Sequence, residues 1–268
     1  MAEILLSEAE KTFILHGVEE DFRCDGRTRL DYRTIEVETD VVSHASGSAR
    51  LRLANTDILV GVKTEVDVPY PERPNEGKIE FFVDWYVQLL LTDWELAGQL
   101  WWGTDGFQHP ATILVLQILE CGGNLFDAVS LAVKAALHNT RIPKVKAATM
   151  DGATVDLQLS DDPFDCFRLD VSATPCLVTL CKIGDHCVVD PTAEEETCSN
   201  ASVVIAVTEN SLVTSVFKTG VGSFHPQTLL DILKVGQAIG LDVNKALKAA
   251  LHEEEQQGRR KQCCGFLK

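Results

Sequence analysis

Between Gly47 and Val66 the chain alternates. Ala49, Leu51 and Leu53 fall on one side and Arg50 and Arg52 on the other, and Ile58, Val60 and Val62 resume the pattern after a predicted turn at Asn55-Thr56-Asp57. A two-residue period marks strands, because successive side chains point to opposite faces of a sheet. Such strands make one apolar face that another element must cover. The cover is predicted from about Asn124 to His138, where Leu125, Val129, Ala132, Val133 and Ala136 recur at helical spacing. The same order then returns. Cys176 to Cys181 with His186 to Val189, and Val203 to Val207 with Leu212 to Phe217, read as two further hairpins, and a long helix follows from Pro226 to His252. Strands, helix, strands, helix is the order of an α+β or α/β chain built of two similar halves.

The flanks are simpler. Ser7-Glu-Ala-Glu10 is a capping box that opens a short helix ending near Gly17. Thr34 to Val42 and Ile79 to Val83 read as strands, and Pro69, Pro71, Pro74 and Gly77 mark an irregular loop between them. From Glu253 on the chain is polar and is expected to fray. The predicted organisation is a lead-in over 1–27, a first half over 28–145, a second half over 146–255 and a polar tail over 256–268. One window resists the scheme. All four tryptophans, Trp85, Trp94, Trp101 and Trp102, fall within it, and no clear helix or strand period runs from Asp84 to about His109.

Charge bounds the partners. Lys and Arg number 24 against 40 Asp and Glu, a formal charge of −16. A free-standing nucleic-acid binder is more often basic, so any RNA contact is expected to be local or shared with a larger assembly. The longest apolar stretches, Trp85–Leu91 and Ala111–Leu119, fall short of a membrane span, and no membrane partner is expected. Nine cysteines, none in a Cys-x-x-Cys pair, fit neither a zinc knuckle nor a disulfide ladder, and a reducing compartment is predicted.

Three features could carry chemistry. Gly122-Gly123-Asn124-Leu125 stands where a strand passes into a helix, a place where backbone N–H groups can bind phosphate. Its neighbours offer no Arg, Lys, Ser or Thr, so a tight turn is the preferred reading. Asp190 and Glu196 could hold magnesium, since hard cations take carboxylates. The preferred reading of the acid clusters Asp161-Asp162, Asp165, Asp190 and Glu194-Glu195-Glu196 is solvated turns. Cys176, Cys181 and Cys187 lie in predicted strands as small hydrophobes. No histidine stands in a nucleophile motif.

Asp25-Gly-Arg27, Tyr32-Arg33, Gly47-Ser48-Ala49 and Asn55-Thr56-Asp57-Ile-Leu-Val60 together resemble the opening of the RNase PH family. Pro69-Tyr-Pro-Glu-Arg-Pro-Asn-Glu-Gly77, Glu120-Cys-Gly-Gly-Asn-Leu-Phe-Asp127, Leu159-Ser-Asp-Asp-Pro-Phe-Asp165, Thr179-Leu-Cys-Lys-Ile-Gly184 and Gly265-Phe-Leu267 narrow the resemblance to exosome ring subunits of the ribosomal-RNA-processing forty-two type. It covers residues 1–84 and about 115–268. It implies an RNase PH-like fold (ribosomal protein S5 domain 2-like), incomplete around 85–112, where a helix and a strand of the family are not recognisable. A missing strand there would leave a sheet edge unpaired.

Active members of the family cleave RNA from its 3′ end with inorganic phosphate. They carry Asp-Gly-Gly-Thr-Arg at the glycine pair, and a Glu-Asp followed six residues later by Asp. This chain has Asn124 and Leu125 at the first motif, and Glu195-Glu196 and Ser202 at the second. Leucine cannot donate to a phosphate, and serine cannot supply the missing charge. The resemblance therefore implies a non-catalytic ring subunit with no catalytic residue, no cofactor and no metal of its own. Its implied partners are other RNase PH-like ring subunits, cap subunits with RNA-binding domains, an associated catalytic nuclease, and RNA in the central channel. The implied locations are nucleus, nucleolus and cytoplasm. Arg73, on the proline-rich loop, is the candidate RNA contact. The alternatives are an active phosphorolytic exoribonuclease, or a form that does not enter the ring.

Overall fold

The computed structural model describes residues 5–66, 78–84, 110–143, 145–149, 155–159 and 165–257. Helix α1 (Glu8–Glu19) is opened by the expected capping box: the Glu10 N–H donates to Ser7 Oγ at 3.3 Å, and the Ser7 N–H to Glu10 Oε2 at 2.7 Å. Its Val18 packs with Cys181, Ile183 and Val188. Strands β1 (Ile35–Thr39), β2 (Gly47–Leu53), β3 (Thr56–Val66), β4 (Lys78–Asp84) and β5 (Pro110–Glu120) form a five-stranded sheet in the order β1-β2-β3-β5-β4. Neighbours are antiparallel except β4 and β5.

The turn of the first hairpin is Ala54-Asn55, not Asn55-Thr56-Asp57, since Thr56 already pairs with Leu53. Ala54 takes a φ of 49° to close it. Thr56 is held in the strand because its hydroxyl donates to Gly123 O at 2.7 Å and accepts from the Gly122 N–H at 3.1 Å. Residues 110–112 also correct the expectation for 85–112. They belong to β5, with Ala111 opposite Glu65 and Thr112 opposite Thr64. Strand β5 is thus paired on both sides, by β3 and by β4. The four tryptophans lie outside the described residues.

Helix α2 (Leu125–Asn139) covers the apolar face of this sheet. Ala49, Leu51, Leu53, Ile58, Val60, Val62, Leu114 and Leu116 are buried there, while Arg50 and Arg52 stay outside and pair with Asp57. Two small ribbons follow, β6 (Arg141–Pro143) with β9 (Cys166–Arg168), and β7 (Val145–Thr149) with β8 (Val155–Leu159). Strands β10 (Cys176–Ile183) and β11 (His186–Val189), the short helix α3 (Ala193–Cys198), and strands β12 (Ala201–Val207) and β13 (Val213–Thr219) then build a four-stranded sheet in the order β11-β10-β12-β13.

This second sheet is covered on both faces, which is why β10 and β12 read as nearly continuous apolar runs. Val178, Leu180, Val203, Ile205 and Val207 meet helix α4 (Pro226–Gln257). Leu177, Val204 and Ala206 meet Phe126 of α2. Helix α2 therefore lies between the two sheets. The end of α4 does not fray from Glu253 as expected. Glu254 accepts the Thr39 N–H at 2.6 Å and Glu255 pairs with Arg168, so the helix continues to Gln257.

Close approach of α4 to β12 needs glycine. A Cβ on Gly240 would lie 2.7 Å from both Cβ and Cγ2 of Val207, a stiff β-branched residue. At an open helix site Gly→Ala stabilises by up to about 1 kcal/mol. Here Gly240→Ala is expected to destabilise by about 1–3 kcal/mol through overpacking, read as a lower urea midpoint with an unchanged slope.

Candidate functional site

The polar residues singled out above meet at one buried place, where the lead-in, the glycine turn and the end of β11 converge. Asp190 is wholly buried and takes a φ of 48°. Its carboxylate accepts from five donors. Arg33 gives its backbone N–H and Nε at 2.9 Å each and Nη2 at 2.8 Å; Arg27 Nη1 donates at 3.1 Å, and Asn124 Nδ2 at 2.7 Å. Burial alone would raise its pKa, but the hydrogen bonds and charge of Arg33, with Asn124, hold the carboxyl below the ordinary aspartate value.

Arg33 is spent on this arrangement. Its remaining donors reach Gly122 O at 2.9 Å and Gly123 O at 3.2 Å. Beside it Arg23, also buried, pairs through Nε with Glu195 Oε1 at 2.8 Å and through Nη2 with Oε2. Its other bonds go to the carbonyls of Val189, Asp190 and Asp31 at 3.0, 2.9 and 3.4 Å. Glu195 is fixed further by the Thr192 N–H at 2.8 Å, in the capping box of α3.

The glycine turn is tight for a packing reason. A Cβ on Gly122 would meet Asn55 Cβ at 2.6 Å, and one on Gly123, whose φ is 96°, would meet the Ala193 nitrogen at 2.4 Å. Asn124 then caps α2 in a left-handed conformation with no side-chain cap of its own. Its N–H donates instead to Glu196 Oε1 at 2.8 Å. The positive end of the helix is thus met by an anion that the chain itself supplies. Burial raises the Glu196 pKa, opposed by that hydrogen bond and by Arg33. Leu125, the next residue, packs against the core.

One sequence expectation is corrected. Asp190 and Glu195 are not in solvated turns but buried, each against arginine. The two carboxylates weighed for magnesium, Asp190 and Glu196, face protein donors, and no group of three or more His, Cys, Asp or Glu among the described residues is placed to hold a metal. Ser202 lies in β12, with its hydroxyl 2.9 Å from Cys181 Sγ. Arg73 and the pair Asp161-Asp162 lie outside the described residues, and Asp165 is half-buried at the entry to β9.

Similarity to known proteins follows the same segments. Residues 31–90 match domain 1 of the 3′ exoribonuclease family, and residues 173–239 match its domain 2. An exosome complex component Rrp42 of Methanopyrus kandleri is 30% identical over 271 residues, spanning 92% of this chain and 98% of the relative. One of Thermococcus gammatolerans is 33% identical over 241 residues, spanning 81% and 86%. Among solved structures, an archaeal exosome core chain superposes with a TM-score of 0.69 at 25% identity, over 90% of this chain and 97% of its own. A chain of the Archaeoglobus fulgidus exosome with RNA bound to the active site shares the fold, with a TM-score of 0.68 at 22% identity, over 89% and 98%. The chain belongs to the RNase PH family, in its Rrp42 branch.

The family match runs to residue 90, six residues beyond the limit expected from motifs alone. Sequence reasoning also passed over residues that the RNase PH fold uses at its centre. Arg27 and Arg33 stood inside quoted family motifs without a role. Arg23 gave no signal. Asp127 stood at the end of a quoted motif, also without a role. It is wholly buried and accepts from Tyr32 Oη at 2.6 Å, Asn124 Nδ2 at 2.9 Å, and the Thr179 N–H and hydroxyl at 3.1 and 2.7 Å. Burial pushes its pKa up to about 6 against those four donors.

Two predictions follow from these pairings. Asp190→Ala leaves Arg33 buried without its counter-charge and is expected to cost about 3–5 kcal/mol, whereas Asp190→Leu combined with Arg33→Met costs less than the single change. Chemical unfolding of the three proteins checks the order. For Asp127 the folded pKa lies above the unfolded value of 3.8, so its contribution is full below that value and is lost as pH rises through about 6. Lowered groups such as Asp190 act only below pH 3.8, in a separate window. Asp127 should therefore lower stability between about pH 4 and 6, while His138, whose pKa burial lowers, acts in the opposite sense below its ordinary value of 6.5. In unfolding titrations the difference between Asp127→Asn and wild type should change over the Asp127 range, with the wild type losing stability relative to the variant as pH rises.

Proposed function

We propose that the chain is a non-catalytic structural subunit of an RNA exosome ring, supporting 3′-to-5′ RNA processing and degradation. Homology to Rrp42 exosome components supports the ring assignment. One observation carries the non-catalytic half of the reading: the Glu196 carboxylate sits on the Asn124 N–H at the start of α2. Phosphorolysis needs inorganic phosphate held by donors at such a helix N-terminus. Here one donor faces a carboxylate, the adjoining position is the apolar Leu125, and Arg33 is saturated by Asp190 and two glycine carbonyls. A dianion brought there would meet the charges of Glu196 and Asp190, and the arginines beside them, Arg33 and Arg27, are already turned to Asp190.

The partners under this reading are other RNase PH-like ring subunits, cap subunits with RNA-binding domains, an associated catalytic nuclease, and RNA threading the channel. The chain acts in nucleus, nucleolus and cytoplasm. The charge of −16 fits a subunit that contributes packing surface while its neighbours supply the electrostatic grip on RNA.

Co-expression with the other ring subunits, followed by native mass spectrometry, tests the assignment. The expected result is one copy per ring, and no release of nucleoside diphosphates from labelled RNA by this subunit with inorganic phosphate. Restoring single family residues, as in Leu125→Arg, should leave the chain inactive because Glu196 still occupies the helix end. Phosphate-dependent cleavage by the wild-type chain alone overturns the non-catalytic reading.

A further inference from the structure

Strand β13 ends the four-stranded sheet, and among the described residues nothing pairs with its outer edge. Helix α4 packs chiefly over β10 and β12 and leaves β13 to one side. The edge is seven residues long, and an open edge of that length presents a row of backbone donors and acceptors suited to another strand. Its flank is apolar. Val216 stands opposite Ile205, so it shares the face on which Ile205 meets α4, yet it is 44% exposed. Leu212, Val213 and Val221, on or beside the same strand, are exposed as well.

The helix continues the patch. Gln237 donates to Ser211 O at 2.7 Å, in the β12–β13 turn, so its stripe of α4 looks toward the β13 side. Lys234 and Leu230, one and two turns earlier, fall on that stripe. Leu230 is 53% exposed. Lys218 lies on the α4 face of β13, opposite Val203. A single lysine on an edge is an ordinary guard against unwanted pairing. Here two exposed lysines rim an apolar edge, in a chain whose net charge is −16. No ion pair of Lys218 or Lys234 is found among the described residues. The Lys218 ammonium donates to the Gly220 carbonyl at 2.7 Å, which holds a cation at the end of the strand.

We infer that the outer edge of β13 is the docking site for an extended segment of a neighbouring ring subunit, one bearing acidic and apolar side chains, which joins the four-stranded sheet as an added strand. This rests on the ring-subunit reading above. The backbone edge selects an extended segment, Val216 and Leu230 receive alternate apolar side chains, and Lys218 and Lys234 meet its acids.

The test uses the co-expressed ring. Two variants, Val216→Asp/Leu230→Asp and Lys218→Glu/Lys234→Glu, are compared with Val41→Lys, a change of an exposed apolar residue on the β1–β2 loop. All positions changed are at the surface, and thermal unfolding of each chain alone checks its fold. The first two variants are expected to enter the ring at least tenfold less well than wild type, and the third to enter normally. Hydrogen exchange on the wild type gives a second readout that needs no variant: β13 amides should exchange at least tenfold more slowly in the ring than in the free chain. If the wild type enters the ring but the edge variants enter equally well, or β13 gains no protection, the docking site is wrong and the ring reading stands. Equal loss with Val41→Lys also overturns the assignment to β13. If the wild type itself never enters the ring, the functional reading fails and takes this inference with it.

Discussion

The placement of the two halves rests on one buried carboxylate. Asp190 receives donors from Arg27 at the end of the lead-in, from Arg33 just beyond it and from Asn124 at the start of α2, while itself closing β11. Removing a carboxylate from water is costly unless its lone pairs and charge are matched. Five donors match them here, and they come from segments separated by as many as 163 residues. The geometry can be satisfied only when both sheets are in position around α2. Arg23 repeats the logic one residue pair away. Its guanidinium binds Glu195 and the carbonyls of Val189 and Asp190, so the same end of β11 is held through its backbone as well.

This arrangement explains why a site with the outline of a phosphate cradle has the chemistry of a joint. A glycine turn, a helix N-terminus and nearby arginines are the parts that anion binding uses. In this chain each part already has partners of its own, although Arg27 Nη2 is buried without one. The glycines are required by the approach of Asn55 and Ala193, the helix end by Glu196, and the arginines by Asp190 and Glu195. The electrostatic field that would favour a substrate anion is neutralised by carboxylates the chain carries itself.

Much of the frame was legible in the sequence because periodicity reports burial directly. The β2–β3 alternation, the capping box at Ser7 and the helical spacing from Leu125 to Ala136 each express a local rule. The failures share a different cause. The turn at Ala54-Asn55 was misplaced because Thr56 is claimed by the distant glycine turn, a contact that no local pattern encodes. Asp190 and Glu195 were read as solvated because acids in turns usually are, and their arginine partners lie about 160 residues away in sequence. Val115 and Leu119 in β5 alternate with buried Leu114 and Leu116, a one-sided pattern hidden in a segment that reads as uniformly apolar. The family motifs placed Arg27 and Arg33 in view, yet a motif names residues without saying what they touch.

A joint built from buried charges is also difficult to dismantle stepwise. Deleting Asp190 strands Arg33, and deleting Arg33 strands Asp190, whose other cation, Arg27, already shares its donors with Asp25 and with the Asp31 carbonyl. Each single loss leaves a buried charge uncompensated, while a concerted apolar replacement would not. The chemistry attached to such a framework has no equivalent protection. Leu125 packs against the core and has no donor to offer a phosphate. The side chain presented at the start of α2 can therefore change at small cost in stability while the charged centre beside it stays fixed.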